Sequence, residues 1–247
     1  MDKALYIAMT GAKHNMRAQA IHSNNLANAN TDGFLADFAR ARSQAVYYGD
    51  GQPTRAYALT ENPGTHFAPG ALLHTGRDLD IAIKGDGFLA VQTADGGEAY
   101  TRAASLSIDS AGILRTGKGL PVLGNDGPIA IPAQEKIEIA SDGSITARIK
   151  GEGPETLAQV DRIRFVKPDL SQLEKSADGL LRMRDASRAP VDANVRVVSG
   201  FLASSNVNPI DEFTNVLSLA RQYEMQVKLM KAAEENSQAS ARLLQTS

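Results

Sequence analysis

The 247-residue chain has no cysteine, no tryptophan and a formal net charge of −2. That composition excludes a disulfide framework, a Cys-type zinc site and thiol catalysis, and it offers no basic face for a nucleic-acid backbone. No stretch approaches the roughly 18 uninterrupted apolar residues of a membrane span, and the opening M-D-K-A-L-Y-I-A-M-T lacks the layout of a Sec signal peptide.

From Ala4 to Ala27 only Gly11 interrupts good helix formers. Leu5, Met9, Ala12, Met16, Ala20, Ser23 and Leu26 recur at spacings of three and four, which predicts a helix with a narrow heptad-like seam. The seam is thin, so this helix is expected to need a partner surface. The stretch Ser23 to Phe34, S-N-N-L-A-N-A-N-T-D-G-F, stops it. Asn24, Asn25, Asn28 and Asn30 compete for backbone hydrogen bonds, and Asp32-Gly33 supplies a turn. These asparagines read as caps and turn formers; a sharper reading gives Asn24, Asn25 and Asn28 hydrogen bonds to neighbouring molecules. Leu26 is assigned to the helical layer, and Phe34 is assigned as the anchor for the start of the arm.

Leu35 to Val46 reads as a helix extension or an irregular arm. Tyr48 to Gly76, with Pro53, Pro63 and Pro69, reads as loop with short extended pieces. From Asp80 the texture changes to short alternating runs, beginning with D-I-A-I-K and F-L-A-V-Q-T and separated by Asx-Gly turns. Further strands are predicted at 105–108, 113–115, 120–123, 129–131, 136–139, 145–149, 160–166, 180–184 and 195–203. Such spacing argues an antiparallel sandwich or barrel. Ser171-Gln172-Leu173-Glu174 reads as a capping box opening one short helix.

Asn208 is placed as an N-cap, Pro209 at the first helical position, and Asp211 and Glu212 at the positive end of the dipole. No Gly or Pro follows to Leu244. Val216, Ala220, Tyr223, Val227, Met230, Ala233, Ser237, Ala241 and Leu244 carry the second seam. The fold class is therefore α+β, with long terminal helices pairing as a coiled-coil layer around a central all-β, sandwich- or barrel-like domain. The domain boundaries are 1–30 (N-terminal helix), 31–76 (junction and arm), 77–204 (β domain) and 205–247 (C-terminal helix). Each helix lacks a core of its own, so the two are expected to pair antiparallel and then meet neighbouring molecules.

No catalytic constellation emerges, and no cofactor or metal is expected. Gly112 to Gly119 imitates a phosphate loop, but Gly119 stands where the magnesium-binding hydroxyl belongs and a strand, not a helix, is predicted next. His14, His22, His66 and His74 lack metal spacing and read as solvated or interface residues. Asp78, Asp80 and Asp86 fall at strand and turn edges, where aspartate is routine.

The motifs at both ends resemble those of bacterial flagellar rod and hook proteins: S-N-N-L-A-N-A-N-T-D-G-F on one side, G-F-L-A-S-S-N-V-N-P-I-D-E-F on the other. The opening M-D-K-A-L-Y-I-A-M-T-G-A, the central D-L-D-I-A-I-K-G-D-G-F-L-A-V-Q-T-A-D-G and the closing R-Q-Y-E-M-Q-V-K-L-M are most similar to the proximal-rod branch, ahead of the distal one. The family motif positions are Asn24, Asn25, Leu26, Asn28, Thr31, Gly33, Phe34, Ser205, Asn206, Val207 and Asn208. The resemblance implies an axial protein whose terminal helices build the inner layer of a hollow tube crossing the periplasm. It also implies passage through the flagellar type III export apparatus, contacts with itself and other rod proteins, and neither nucleic-acid nor membrane partners. Residues 1–30 and 209–247 are expected to order on assembly. The readings that compete with it are a soluble coiled-coil dimer with a β ligand-binding head and a phosphate-binding enzyme built on the Gly112 loop.

Overall fold

The computed structural model of the chain describes residues 2–46, 55–132, 134–149 and 157–245. It is α+β and divides into two compact units. The first unit gathers α1 (Asp2–Ala27), β1 (Asp37–Val46), β2 (Arg55–Thr65) and a helix at the far end of the chain, α2 (Pro209–Gln245).

Here β1 and β2 pair antiparallel from Asp37↔Thr65 to Val46↔Arg55. A long ribbon thus replaces the helix extension or irregular arm read over 35–46 and part of the loop read over 48–76. Residues 47–54, with Pro53, lie outside the described residues. Pro63 survives inside β2 because the register shifts there: Phe38 faces Gly64 and Arg40 faces Glu61, which leaves Asn62 and Pro63 opposite Ala39. A bulge needs no ladder hydrogen bond from proline.

The second unit runs through β3 (Leu72–His74), β4 (Ile81–Lys84), β5 (Phe88–Gln92), β6 (Glu98–Thr101), β7 (Leu106–Ile108), β8 (Leu114–Thr116), β9 (Gln134–Ile139) and β10 (Ser144–Ile149). It continues through β11 (Leu157–Arg162), β12 (Phe165–Val166), β13 (Leu173–Lys175), β14 (Leu181–Met183), β15 (Arg196–Ser199) and β16 (Phe201–Ala203). Its strands pair antiparallel in a five-stranded sheet, β12-β5-β6-β14-β13, a three-stranded sheet, β11-β10-β9, and the pairs β15-β4, β16-β3 and β7-β8. No sheet among the described strands closes into a barrel.

β5 explains why the sheets stack. Phe88, Leu89, Ala90 and Val91 are all buried. Because side chains alternate along a strand, Leu89 and Val91 enter one core with Ile81, Leu106, Leu114 and Ile145. Phe88 and Ala90 enter a second core with Leu35, Tyr100, Val166 and Leu181. A strand covered on both faces reads as the continuous apolar run seen in F-L-A-V.

Three local expectations change. The segment 120–131 contributes isolated bridges, Val91↔Val122, Ile113↔Ala130 and Leu123↔Pro128, in place of regular strands. The segment 195–203 splits into β15 and β16 in different sheets, bending at Gly200, whose N–H bonds to Asp80 O at 2.8 Å. The short helix is a single 3-10 turn, Leu170–Gln172, capped by Asp169 and not by Ser171, because the Asp169 carboxylate accepts from Ser171 N at 3.0 Å.

Candidate functional site: the helix pair and the motif segments

α1 and α2 pack on one another, and two contacts fix their sense. His22 Nδ1 lies 2.5 Å from Glu212 Oε2, while Gly11 faces the Gln226 side chain. Moving back along α1 moves forward along α2, so the helices run antiparallel.

The face that α1 turns inward is not the predicted seam. Ala8, Ala12 and Asn25 are its buried residues, with Gly11, Asn15, Ala18 and His22 half-buried on the same side. Leu5, Met9 and Met16 are 39%, 50% and 55% exposed, Ala20 is exposed, and Leu26 is half-buried. At 100° per residue, Leu5, Met9 and Met16 centre about a third of a turn round from the middle of that buried and half-buried face. Of that seam, which is expected to serve as an assembly interface, only Ala12 is buried within the single chain. On α2 the match is closer: Val216, Ala220, Tyr223 and Met230 are half-buried, while Val227 and Ala241 are exposed. The Leu244 side chain lies outside the described residues.

Asn25 is the hub of the first unit, with 0% of its surface exposed. Its Nδ2 donates to Asp37 O at 2.7 Å and to Glu212 Oε1 at 3.1 Å, and its Oδ1 accepts from Asp37 N at 3.0 Å. Asp37 Oδ1 in turn accepts from Thr65 Oγ1 at 3.0 Å. One carboxamide therefore ties α1 to α2 and to the start of β1. Those bonds are made within the chain, which corrects the reading of Asn25 as a contact to neighbours. Asn28 is a cap as well: its Nδ2 donates to Asn24 O at 2.9 Å, satisfying a carbonyl that the helix end leaves free. Asn208 caps α2 as expected, accepting from Ile210 N at 3.1 Å and donating to Asp211 Oδ2 at 2.7 Å.

In the second unit the motif residues lie against the β body. Gly33, at φ +65°, donates to Ala203 O at 2.8 Å. A Cβ there would fall 2.2 Å from Ala103 N and 2.3 Å from the Arg102 carbonyl carbon. Thr31 O accepts from Phe34 N at 3.2 Å, and Phe34 lies under Lys175 Nζ, 4.0 Å from the ring centroid. The deeper anchor is Leu35, buried in the second core, with its carbonyl accepting from Lys175 Nζ at 2.7 Å. Asn206 accepts from Ala36 N at 2.7 Å and donates to Ala68 O at 2.8 Å. Ser205 is buried and Val207 half-buried.

The neighbouring Arg102 is buried, with Nε donating to Gly87 O at 3.1 Å, a further bond to Gly85 O, and its guanidinium 5.5 Å from the Phe88 ring. Burial holds its pKa below the usual arginine value, an effect opposed by Asp86. Tyr100 donates to Glu98 Oε1 at 3.0 Å and accepts from Ala189 N at 2.7 Å; burial pushes it up to about 12.

The chemistry weighed from sequence resolves into structure. Gly112 and Gly119 close separate turns, donating to Asp109 O and Thr116 O, and Leu114–Thr116 between them is strand. Asp80 is buried at a bridge to Ser105. No group of three or more His, Cys, Asp or Glu that could hold a metal is present among the described residues. No described helix is long and apolar enough to cross a membrane.

Sequence reasoning passed over Ala8 and Leu35 and gave Glu212 only a dipole role. Glu212 could have been suspected from His22 and Asn25, three apart on α1, which need a polar partner if that face is covered.

Family models match the ends and the middle. They describe a flagella basal body rod protein (residues 5–34), a flagellar hook protein FlgE/F/G D1 domain (82–147) and a flagellar basal body rod FlgEFG protein C-terminal region (198–243). The chain is 41% identical to the flagellar basal-body rod protein FlgF of Escherichia coli and 39% identical to that of Salmonella typhimurium, in each case across 100% of both chains. It is 32% identical to the flagellar basal-body rod protein FlgG of Bacillus subtilis, across 95% of this chain and 96% of that one.

Proposed function

The chain belongs to the flagellar basal-body rod protein family, and we propose that its terminal helices form the inner coiled-coil layer of a hollow helical drive shaft. It is a structural subunit of the flagellar basal body; its work is mechanical, not catalytic. The observation that carries the proposal is the division of labour on α1: Ala8 and Ala12 are buried within the chain, while Leu5, Met9 and Met16 face outward. Small buried residues contribute little apolar area, so α1 is marginally held within one chain and gains its stability from neighbouring subunits. Residues 1–30 and 209–247 accordingly order on assembly, after the chain has passed through the type III export apparatus. Higher identity to the FlgF proteins of Escherichia coli and Salmonella typhimurium than to FlgG of Bacillus subtilis favours a proximal position, with proximal siblings below and the distal rod protein above.

The test is a strain producing the chain without residues 209–247, scored by swimming and by imaging purified basal bodies. The proposal expects no complete rod and no motility. Normal rods and normal swimming would refute it.

A further inference from the structure

Six aspartates stand directly before a glycine: Asp32-Gly33, Asp86-Gly87, Asp95-Gly96, Asp126-Gly127, Asp142-Gly143 and Asp178-Gly179. A glycine amide carries no side chain to shield it, so its nitrogen can attack the preceding aspartyl carboxyl. The new N–Cγ bond closes a five-membered imide; the amide gives up its proton and the carboxyl its hydroxyl, and the two leave as water. Water then reopens the ring. When it breaks the original peptide bond, the chain continues through Cγ and the product is isoaspartate. One water leaves and one returns, so no oxidant or other reactant is needed. The reaction does require a carboxyl able to turn onto the next nitrogen and an N–H not held elsewhere.

The fold holds five of the six back. Asp142 accepts from Ser144 N at 3.0 Å and Ser144 Oγ at 2.8 Å, while Gly143 N donates to Ala140 O. Asp178 accepts from Leu180 N at 2.9 Å and Arg182 Nη2 at 2.7 Å, while Gly179 N donates to Ser176 O. Gly33 N donates to Ala203 O, and Gly96 N to Thr93 O. Asp86 pairs with Lys167 Nζ at 3.4 Å, and Gly87 packs against the Val195 side chain. Asp126 differs from all of these. It is exposed, and among the described residues neither its carboxylate nor the Gly127 N–H has a hydrogen-bond partner. A Cβ at Gly127 would meet nothing within 4 Å, so the turn has room for the ring to close. We propose that Asp126-Gly127 is a modification site, where the folded chain forms isoaspartate through its own backbone. The position gives the change a consequence. Gly124 N donates to Gly127 O at 2.7 Å, and the bridge Leu123↔Pro128 closes the turn. Leu123 lies in the second core and Ile129 in the first. Isoaspartate adds one main-chain atom inside that closed turn, so the link between the two cores loosens as the protein ages.

The purified full chain is held for weeks at physiological temperature and pH, beside the same chain in guanidinium chloride. Peptides are then mapped by electron-transfer fragmentation, which tells isoaspartate from aspartate although the mass is unchanged. A hydrogen bond to a charged group corresponds to a factor of about ten in the equilibrium that releases it. In the folded chain, isoaspartate should therefore form at Asp126 at least about tenfold faster than at Asp142 or Asp178. In denaturant the six sites should draw together. Asp126→Glu, which would need a six-membered ring, should suppress the product without moving the thermal midpoint. Hydrogen exchange at Gly124 and Ile129 should rise with the isoaspartate fraction. Equal or faster formation at any other of the six in the folded chain would overturn the proposal. So would isoaspartate at Asp126 in denaturant but none in the folded chain. Unchanged exchange at Gly124 in fully converted protein would overturn the loosened turn.

Discussion

Replacing Gly33 by Ala isolates what the motif turn does. Two costs arise there. At φ +65° an alanine sits in the left-handed region, which costs about 1–2 kcal/mol. Its Cβ would also lie 2.2 Å from Ala103 N and 2.3 Å from the Arg102 carbonyl carbon. Those are backbone atoms held by Arg102, whose side chain grips Gly87 O, so they cannot swing aside as a side-chain end would. Overpacking of this kind typically costs about 1–3 kcal/mol. Gly119 supplies the control: its φ is +80°, but a Cβ there would meet nothing within 4 Å. Gly119→Ala should therefore incur the backbone cost alone.

The assay is thermal unfolding of the purified full chain by calorimetry, with hydrogen exchange at the Gly33 amide. For a chain of this size each kcal/mol moves the midpoint by roughly 2–4 °C. Gly33→Ala should lower it by roughly 5–15 °C, against a few degrees for Gly119→Ala. Should the segment around Gly33 peel away locally, the midpoint is spared but protection of the Gly33 N–H···Ala203 O bond disappears. Equal midpoints for the two variants, with Gly33 protection unchanged, would refute the claim that the motif turn is wedged against the Arg102–Ala103 backbone.

Ala12→Leu, on the buried face of α1, should overpack the first unit and reduce swimming, while Val191→Ala on the exposed surface of the β body should leave swim halos unchanged. Asn25→Ala leaves Asp37 N, Asp37 O and Glu212 Oε1 each without the bond it makes to the carboxamide, so protection of Asp37 and rod formation should both fall; unchanged exchange at Asp37 in assembled rods would count against its role as hub. Asp109 is held below the ordinary carboxylate range first by Arg115, and Asp142 first by the Ser144 N–H. A depressed folded-state pKa contributes stability above the unfolded value and loses it as pH falls, so the β body should weaken below about pH 4. Asp109→Asn should flatten part of that acid slope in a melting series. At the other extreme, Tyr100 is pushed up to about 12. The stability linked to that shift is complete below about pH 10 and lost as pH rises toward the folded value. Tyr100→Phe should be less stable at neutral pH, through the lost bond to Ala189 N, and should lack the alkaline slope.

How far the fold is legible in the sequence depends on which residues carry the information. The F-L-A-V run announces β5, and Asn208-Pro209 announces the start of α2, because local chemistry alone decides them. The ribbon β1–β2 stayed hidden: its Ala-Arg-Ala-Arg stretch uses good helix formers, and Pro63 reads as a strand breaker until the bulge that shelters it is known. The inward face of α1 was hidden for a different reason. Ala8 and Ala12 contribute so little hydrophobicity that a periodicity search settles on the larger residues beside them on the helix. Periodicity reports that a face will be covered, not whether the cover comes from the same chain.

The polar node His22–Glu212–Asn25 obeys the same logic. It is closed within the chain, but buried polar groups are poor sources of net stability, because what they gain is offset by desolvation. What such a node supplies is register: sliding α1 along α2 by one turn would break the contacts of His22 and Asn25 with the Glu212 carboxylate. An all-apolar inner face would hold the helices more tightly and tolerate several registers. It would also divert Leu5, Met9 and Met16 from the surface where a second copy can reach them. A helix pair aligned by polar groups is thus set in one register but weakly held, and the large side chains of Leu5, Met9 and Met16 stay exposed.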